Sequence, residues 1–164
     1  MTKDRFIEEI KLLGIDITDD MLEKLDKYYK LLTEWNEKIN LTAITKEEDV
    51  YLKHFYDSAT LCKIIDLKED LYLCDVGTGA GFPGLVLKIL FPNLKIVLVD
   101  ALEKRINFLN IVINELGLKD IETVHERSEI YAKNNREKFV VLNTKTYIMS
   151  GRKERSSTLL GSSG

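Results

Sequence analysis

Hydrophobic positions in the first third of the chain recur every three or four residues, the spacing of one face of an α-helix. Residues 4–13 form a short amphipathic stretch closed by Gly14, a residue type favoured just past a helix end. A longer helix is predicted after Thr18, with Leu22, Leu25, Tyr29, Leu32, Trp35 and Ile39 on one apolar stripe that packs against the rest of the protein. Thr45-Lys46-Glu47-Glu48 has the form of a capping box, in which Thr45 and Glu48 satisfy free backbone N–H groups reciprocally. A third helix is predicted to follow through Val50, Leu52, Phe55, Ala59 and Leu61. Residues 1–66 therefore read as a helical extension.

The rhythm changes at Leu71. Leu71–Asp75 and Leu94–Asp100 are apolar runs of strand length, the second rich in β-branched residues. Between them Leu85, Leu87, Ile89 and Leu90 fit a helix stopped by Phe91-Pro92-Asn93. Ile106, Leu109, Val112, Ile113 and Leu116 mark another helix ended by Gly117, and Ile121–Val124 is a third strand. Strands alternating with helices predict a parallel sheet with right-handed crossovers, an α/β fold. Phe139-Val140-Val141-Leu142 is a candidate fourth strand, and a sheet stopping there has an open edge. Residues 67–142 are thus a partial α/β domain. Residues 143–164 lack apolar periodicity, and the Ser/Gly-rich end has the composition of a flexible linker, so an irregular or disordered tail is expected.

Composition narrows this picture only a little. An apolar content of 45% is enough for a core, and no apolar run approaches the roughly 18 residues of a membrane span. The first residues lack the basic-then-apolar layout of a signal peptide, and Cys62 and Cys74 form no CxxC pair. Both cysteines read as reduced core residues of a cytoplasmic protein. The net charge of −3 is uneven: residues 1–74 hold 11 basic against 17 acidic side chains, residues 135–164 hold 6 against 2. An acidic front half does not advertise nucleic-acid binding, though it leaves a local basic patch possible in principle.

The densest chemical signal is Asp75-Val76-Gly77-Thr78-Gly79-Ala80-Gly81-Phe82-Pro83-Gly84, a strand ending in an acid, then a glycine loop, then a helix opened by proline. Gly79 to Gly84 formally satisfies the dinucleotide pattern GxGxxG. The pattern is displaced two residues from the strand end, Pro83 removes an N–H donor, and Asp75 opposes a phosphate by roughly 1 kcal/mol. The register that starts at Asp75 suits a nucleoside carrying a sulfonium, S-adenosyl-L-methionine. Asp100 closes the second strand, 25 residues after Asp75, where a carboxylate can accept from both ribose hydroxyls; the lesser alternative is an N-cap for the helix that begins near Leu102. Ser128 and Glu129 follow the third strand, where a loop faces the same crevice. No Ser/His/Asp, Cys/His or metal-ligand constellation stands out, so no catalytic or metal residue is assigned.

Five strings together resemble the RsmG (GidB) family of small-subunit ribosomal RNA guanine-N7 methyltransferases. They are Trp35-Asn36-Glu37-Lys38-Ile39-Asn40-Leu41-Thr42, His54-Phe55-Tyr56-Asp57-Ser58, the loop from Asp75 to Gly84, Val99-Asp100-Ala101-Leu102-Glu103-Lys104-Arg105, and His125-Glu126-Arg127-Ser128-Glu129. The resemblance covers roughly residues 5–139. It implies a class I, Rossmann-like methyltransferase sheet with an N-terminal helical extension, with the C-terminal strands missing from this chain. It also implies S-adenosyl-L-methionine as cofactor, contacted by Gly77, Phe82, Ser128 and Glu129, to which the reading of the residues adds Gly79 and Asp100, and small-subunit (16S) ribosomal RNA, free or in the assembled subunit, as partner. His54 and Asp57 match the family without an assigned role. After Phe139 the family continues Phe-Asp-Val-Val-x-x-Arg-Ala, whereas here the acid is absent and Lys145 stands where the arginine belongs, so the chain reads as truncated or altered there. The alternative is an inactive domain that binds cofactor or RNA only.

Overall fold

The computed structural model describes residues 1–135, 140–143, 147–149 and 158–160 of the 164-residue chain. Helix α1 spans Lys3–Leu12, with the Thr2 hydroxyl accepting from the Arg5 N–H, and Gly14 follows at φ 84°. Helix α2 spans Asp19–Asn36 and is capped by Thr18, whose hydroxyl accepts from the Met21 N–H. Each helix thus starts at a hydroxyl that fills one of its free N–H groups. Leu25 and Leu32 of the predicted stripe are fully buried, but the aromatic buried with them is Tyr28 rather than Tyr29. Tyr28 lies three residues after Leu25 and four before Leu32, the same helical face. Tyr29 is half-exposed and donates its hydroxyl to the Thr45 carbonyl at 2.8 Å.

The third helical run departs from expectation at its start. Helix α3 (Glu47–Val50) begins after Lys46, which makes no side-chain cap, so the Thr45–Glu48 capping box does not form. Long-range bonds hold both halves of that motif instead: the Thr45 carbonyl takes the Tyr29 hydroxyl, and the Glu48 carbonyl takes the N-terminal ammonium at 3.1 Å. The run continues as a π-helical segment (Tyr51–Tyr56), a short α4 (Asp57–Ala59) and a 3₁₀ turn (Thr60–Lys63).

Strands β1 (Tyr72–Val76), β2 (Lys95–Asp100), β3 (Ile121–His125) and β4 (Val140–Asn143) form one sheet in the order β3-β2-β1-β4, every pair parallel. Three helices connect them: α5 (Gly84–Leu90), α6 (Glu103–Leu116) and α7 (Ser128–Asn135). Alternation along the strands divides the core. Leu73, Ile96, Leu98, Val140 and Leu142 pack with α1, α2, α5 and α6, while Cys74, Val76, Val97, Val99 and Val141 meet Tyr131 and Ala132 of α7. Helices on both faces make a doubly wound sheet, and the chain reverses direction between β1 and β4, the point outside which ligands of open α/β sheets bind. In the expected irregular tail, β5 (Tyr147–Met149) and β6 (Thr158–Leu160) pair antiparallel as a separate two-stranded sheet. Among the described residues no helix is long and apolar enough to cross a membrane.

Candidate functional site

The carboxyl ends of β1, β2 and β3 bring the predicted residues to one end of the sheet. The Gly77 N–H and the Thr78 N–H both donate to the Val99 carbonyl, at 2.8 and 3.1 Å, so the loop leaves β1 by folding over β2. Gly77, Gly79 and Gly81 all have positive φ, at 67°, 60° and 105°, a region where a side chain is strained. A side chain at Gly79 would enter open space; one at Gly81 would strike Leu85 and the Tyr28 hydroxyl. Gly79 therefore faces open space, and Gly81 lets the loop seat on α2 and α5.

Asp75 differs from its expected role. Its place at the strand end predicts a carboxylate bordering the pocket, but it is 0% exposed and sits beneath the loop. Its Oδ2 accepts from the Thr78 hydroxyl at 2.7 Å and from the Gly84 N–H at 2.9 Å, tying both ends of the loop to β1. Oδ1 has no partner. Burial, opposed by those two hydrogen bonds and aided by nearby Asp100, pushes its pKa up to about 7. Asp75 is thus an internal anchor of divided charge. Electrostatic repulsion by Asp75 is then a poor reason to exclude pyrophosphate, and a better one appears. The first amides of α5 are already used, Gly84 N–H by Asp75 and Leu85 N–H by the Gly81 carbonyl at 2.8 Å. A phosphate seated at those two amides would have to displace both bonds.

Asp100 stands where expected, at the carboxyl end of β2 and 2% exposed. Oδ2 accepts from the Gly79 N–H at 2.9 Å and Oδ1 from the Leu102 N–H at 3.0 Å, with Arg105 Nη1 3.5 Å from Oδ1. It is not the cap of α6, whose N-cap residue is Leu102. The bond to Leu102 nevertheless leads the chain into α6. Each carboxylate oxygen keeps a further lone pair for a hydroxyl. Ser128 and Glu129 open α7 just after β3, half-buried and exposed respectively, and the Glu126 N–H ties that turn to the Asp100 carbonyl at 3.0 Å. Gly77, Gly79, Asp100, Ser128 and Glu129 thus share one end of the sheet, and Phe82 lies on its α2 side.

Phe82 is held by the helical extension. His54 stacks on it with ring centroids 4.1 Å apart and planes 7° from parallel, and Tyr28 lies 5.6 Å away at 30°. The Tyr28 hydroxyl donates to the Ala80 carbonyl at 2.5 Å. His54 Nε2 is 2.9 Å from Thr42 Oγ1, and burial pushes the imidazole pKa down to about 4, so the ring is neutral near pH 7. Sequence reading missed Tyr28 and Thr42; helical spacing from Leu25 and Leu32 was the available signal for Tyr28. Phe139 and Lys145, where the chain departs from the family pattern, lie outside the described residues.

Fold and loop define a Rossmann-like α/β protein with a glycine loop at the strand ends. The description "GidB: rRNA small subunit methyltransferase G" matches residues 21–145, and the chain belongs to that family. The ribosomal RNA small subunit methyltransferase G of Staphylococcus epidermidis is 54% identical over 126 residues, covering 77% of this chain and 53% of the relative. Its namesake in Exiguobacterium sibiricum is 49% identical over 144 residues, covering 87% and 60%. The chain therefore spans a little over half the length of these relatives. Among solved structures, a mutant of MtNAS superposes with a TM-score of 0.52 at 12% identity, over 76% of this chain and 48% of that one, a likeness of fold alone.

Proposed function

We propose that the strand ends bind S-adenosyl-L-methionine and that the chain takes part in methylating N7 of a guanine in 16S ribosomal RNA, in the cytoplasm. The observation that carries this reading is the glycine loop folded over β2, with Gly79 fixed by Asp100 and open space above it. The residues present fit the cofactor in chemical kind. Asp100 offers acceptors for a diol, and Gly77 and Gly79 bring bare backbone close. Phe82, Ser128 and Glu129 complete the proposed contact set.

Bound S-adenosyl-L-methionine supplies a methyl group on a sulfonium, open to attack by a lone pair. Guanine N7 is such a lone pair and has no proton to lose. The chain's residues therefore have no proton to move; their task is to hold two partners in line, which by itself lowers a barrier by several kcal/mol. That account agrees with a site built from glycines, a carboxylate and aromatic rings.

Incubation with labelled S-adenosyl-L-methionine and small ribosomal subunits lacking the mark tests the proposal. Label transferred to guanine N7 is the expected result. Saturable cofactor binding without transfer assigns the chain the binding role only, and no binding removes the reading.

A further inference from the structure

Two of the strings that mark the family, Trp35–Thr42 and His54–Ser58, lie far from the strand ends in sequence and have no part in the contact set above. The structure brings both to the loop. The Asn36 side-chain carbonyl accepts from the Leu41 N–H at 2.7 Å and the Thr42 N–H at 2.9 Å, which closes the turn after α2. The Thr42 hydroxyl accepts from the Ile44 N–H at 3.1 Å and meets His54 Nε2 at 2.9 Å. His54 comes from the π-helical segment, its carbonyl taken by the Ser58 hydroxyl at 2.6 Å, and its ring lies flat on Phe82. Segments of i→i+5 geometry occur mostly as short interruptions of α-helices and are frequent at functional sites.

We infer that His54 is a positioning residue: stacked flat on Phe82 and oriented by Thr42, it fixes the glycine loop in the shape that receives the cofactor. A hydrogen bond at one edge of the imidazole and a ring on its face leave little freedom in the plane of Phe82. The Phe82 backbone continues directly into Gly81, whose N–H, like that of Phe82, donates to the Thr78 carbonyl, at 3.0 and 3.2 Å. Fixing the ring therefore fixes the turn from Thr78 to Phe82, which contains Gly79 and its bond to Asp100. The helical extension acts as a brace for the loop from the side, and His54 is where the brace touches. This inference rests on the proposed cofactor site, but the loop contact it describes is testable without it.

The test compares His54→Ala and His54→Phe with Val112→Ala, a fully buried position on α6 that weakens the core away from the loop. Two readouts are used on the full chain: S-adenosylhomocysteine affinity by calorimetry, and hydrogen exchange of the amides from Gly79 to Phe82. His54→Ala is expected to weaken binding about tenfold and to speed exchange at those amides; His54→Phe, which keeps a flat ring, is expected to restore both in large part. Val112→Ala is expected to lower the melting temperature with affinity and loop exchange unchanged. If His54→Ala binds and exchanges like the parent, or Val112→Ala disturbs the loop as much, the inference is overturned. If the parent chain fails to bind, the cofactor reading falls, and the exchange comparison still decides the role of His54. Should His54→Ala not fold, His54→Leu, which keeps the bulk but not the flat ring, provides the same comparison, faster loop exchange supporting the inference and parental exchange overturning it.

Discussion

The glycine loop has two supports, and they are made of different materials. From below, Asp75 of β1 holds Thr78 and Gly84 by hydrogen bonds that span nine residues at most. From the side, Tyr28, His54 and Phe55 of the extension meet Phe82 and Ala80 through rings and one hydroxyl, across gaps of 27 residues or more in the sequence. The lower support is polar and local and sets the loop's shape. The lateral support is aromatic and distant and sets where the loop sits. An α/β sheet can build the first alone; the second requires the extension to dock.

Removing the lateral support most completely gives the largest expected effect. Tyr28→Ala deletes a fully buried ring that touches Phe55, Phe82 and the Ala80 carbonyl, and is expected to cost about 3–5 kcal/mol in urea unfolding. A loss under 1 kcal/mol would mean that the extension hardly bears on the loop. Disturbing the lower support is expected to cost less. A Cβ at Gly84 would strike Leu98 and come within 2.9 Å of Asp75 Oδ2, so Gly84→Ala is expected to destabilise by about 1–3 kcal/mol. Parental stability for that variant would show that α5 approaches β1 and β2 less closely than described.

The two supports also answer pH in opposite senses. The folded pKa of Asp75 lies above its ordinary value of 3.8, at about 7, so its contribution is full below pH 4 and is lost as pH rises through 7. The folded pKa of His54 lies below 6.5, at about 4, so its contribution is full above pH 6.5 and is lost as pH falls towards 4. Between pH 4 and 6.5 the two oppose each other. Against the parent, Asp75→Asn is expected to lose relative stability on acidification, and His54→Phe to gain it. The Asp75 slope has an upper limit of about 1.4 kcal/mol per pH unit, and the His54 slope is smaller because the ring is partly solvated. Denaturant unfolding at pH 4.5, 5.5 and 6.5 measures both, and slopes of equal sign would contradict the assignment.

The division between local and distant also explains what could be read from the sequence. Gly14, the Thr18 cap, the four parallel strands and the glycine loop depend on residues within a few positions of one another, and periodicity and turn chemistry expose them. The Thr45–Glu48 cap failed because the helix starts one residue late, at Glu47 with Lys46 in the cap position, which leaves Thr45 outside it. Asp75 was placed at the pocket wall because spacing shows that an acid ends β1 but not which way it turns. Strand alternation puts it on the face of Leu73, towards α5, where it is enclosed. His54 carried a family signature without a role, because its partner Phe82 lies 28 residues ahead on a different element.

The central claim is that the ends of β1 to β3 receive an S-adenosyl nucleoside, with Asp100 as acceptor for its ribose. Calorimetric titration of the full chain and of Asp100→Asn with S-adenosylhomocysteine tests this most directly. The account predicts saturable one-to-one binding by the parent and a loss of roughly tenfold or more in the variant at unchanged circular dichroism. Equal affinity of the two proteins, or no binding by the parent, would contradict it.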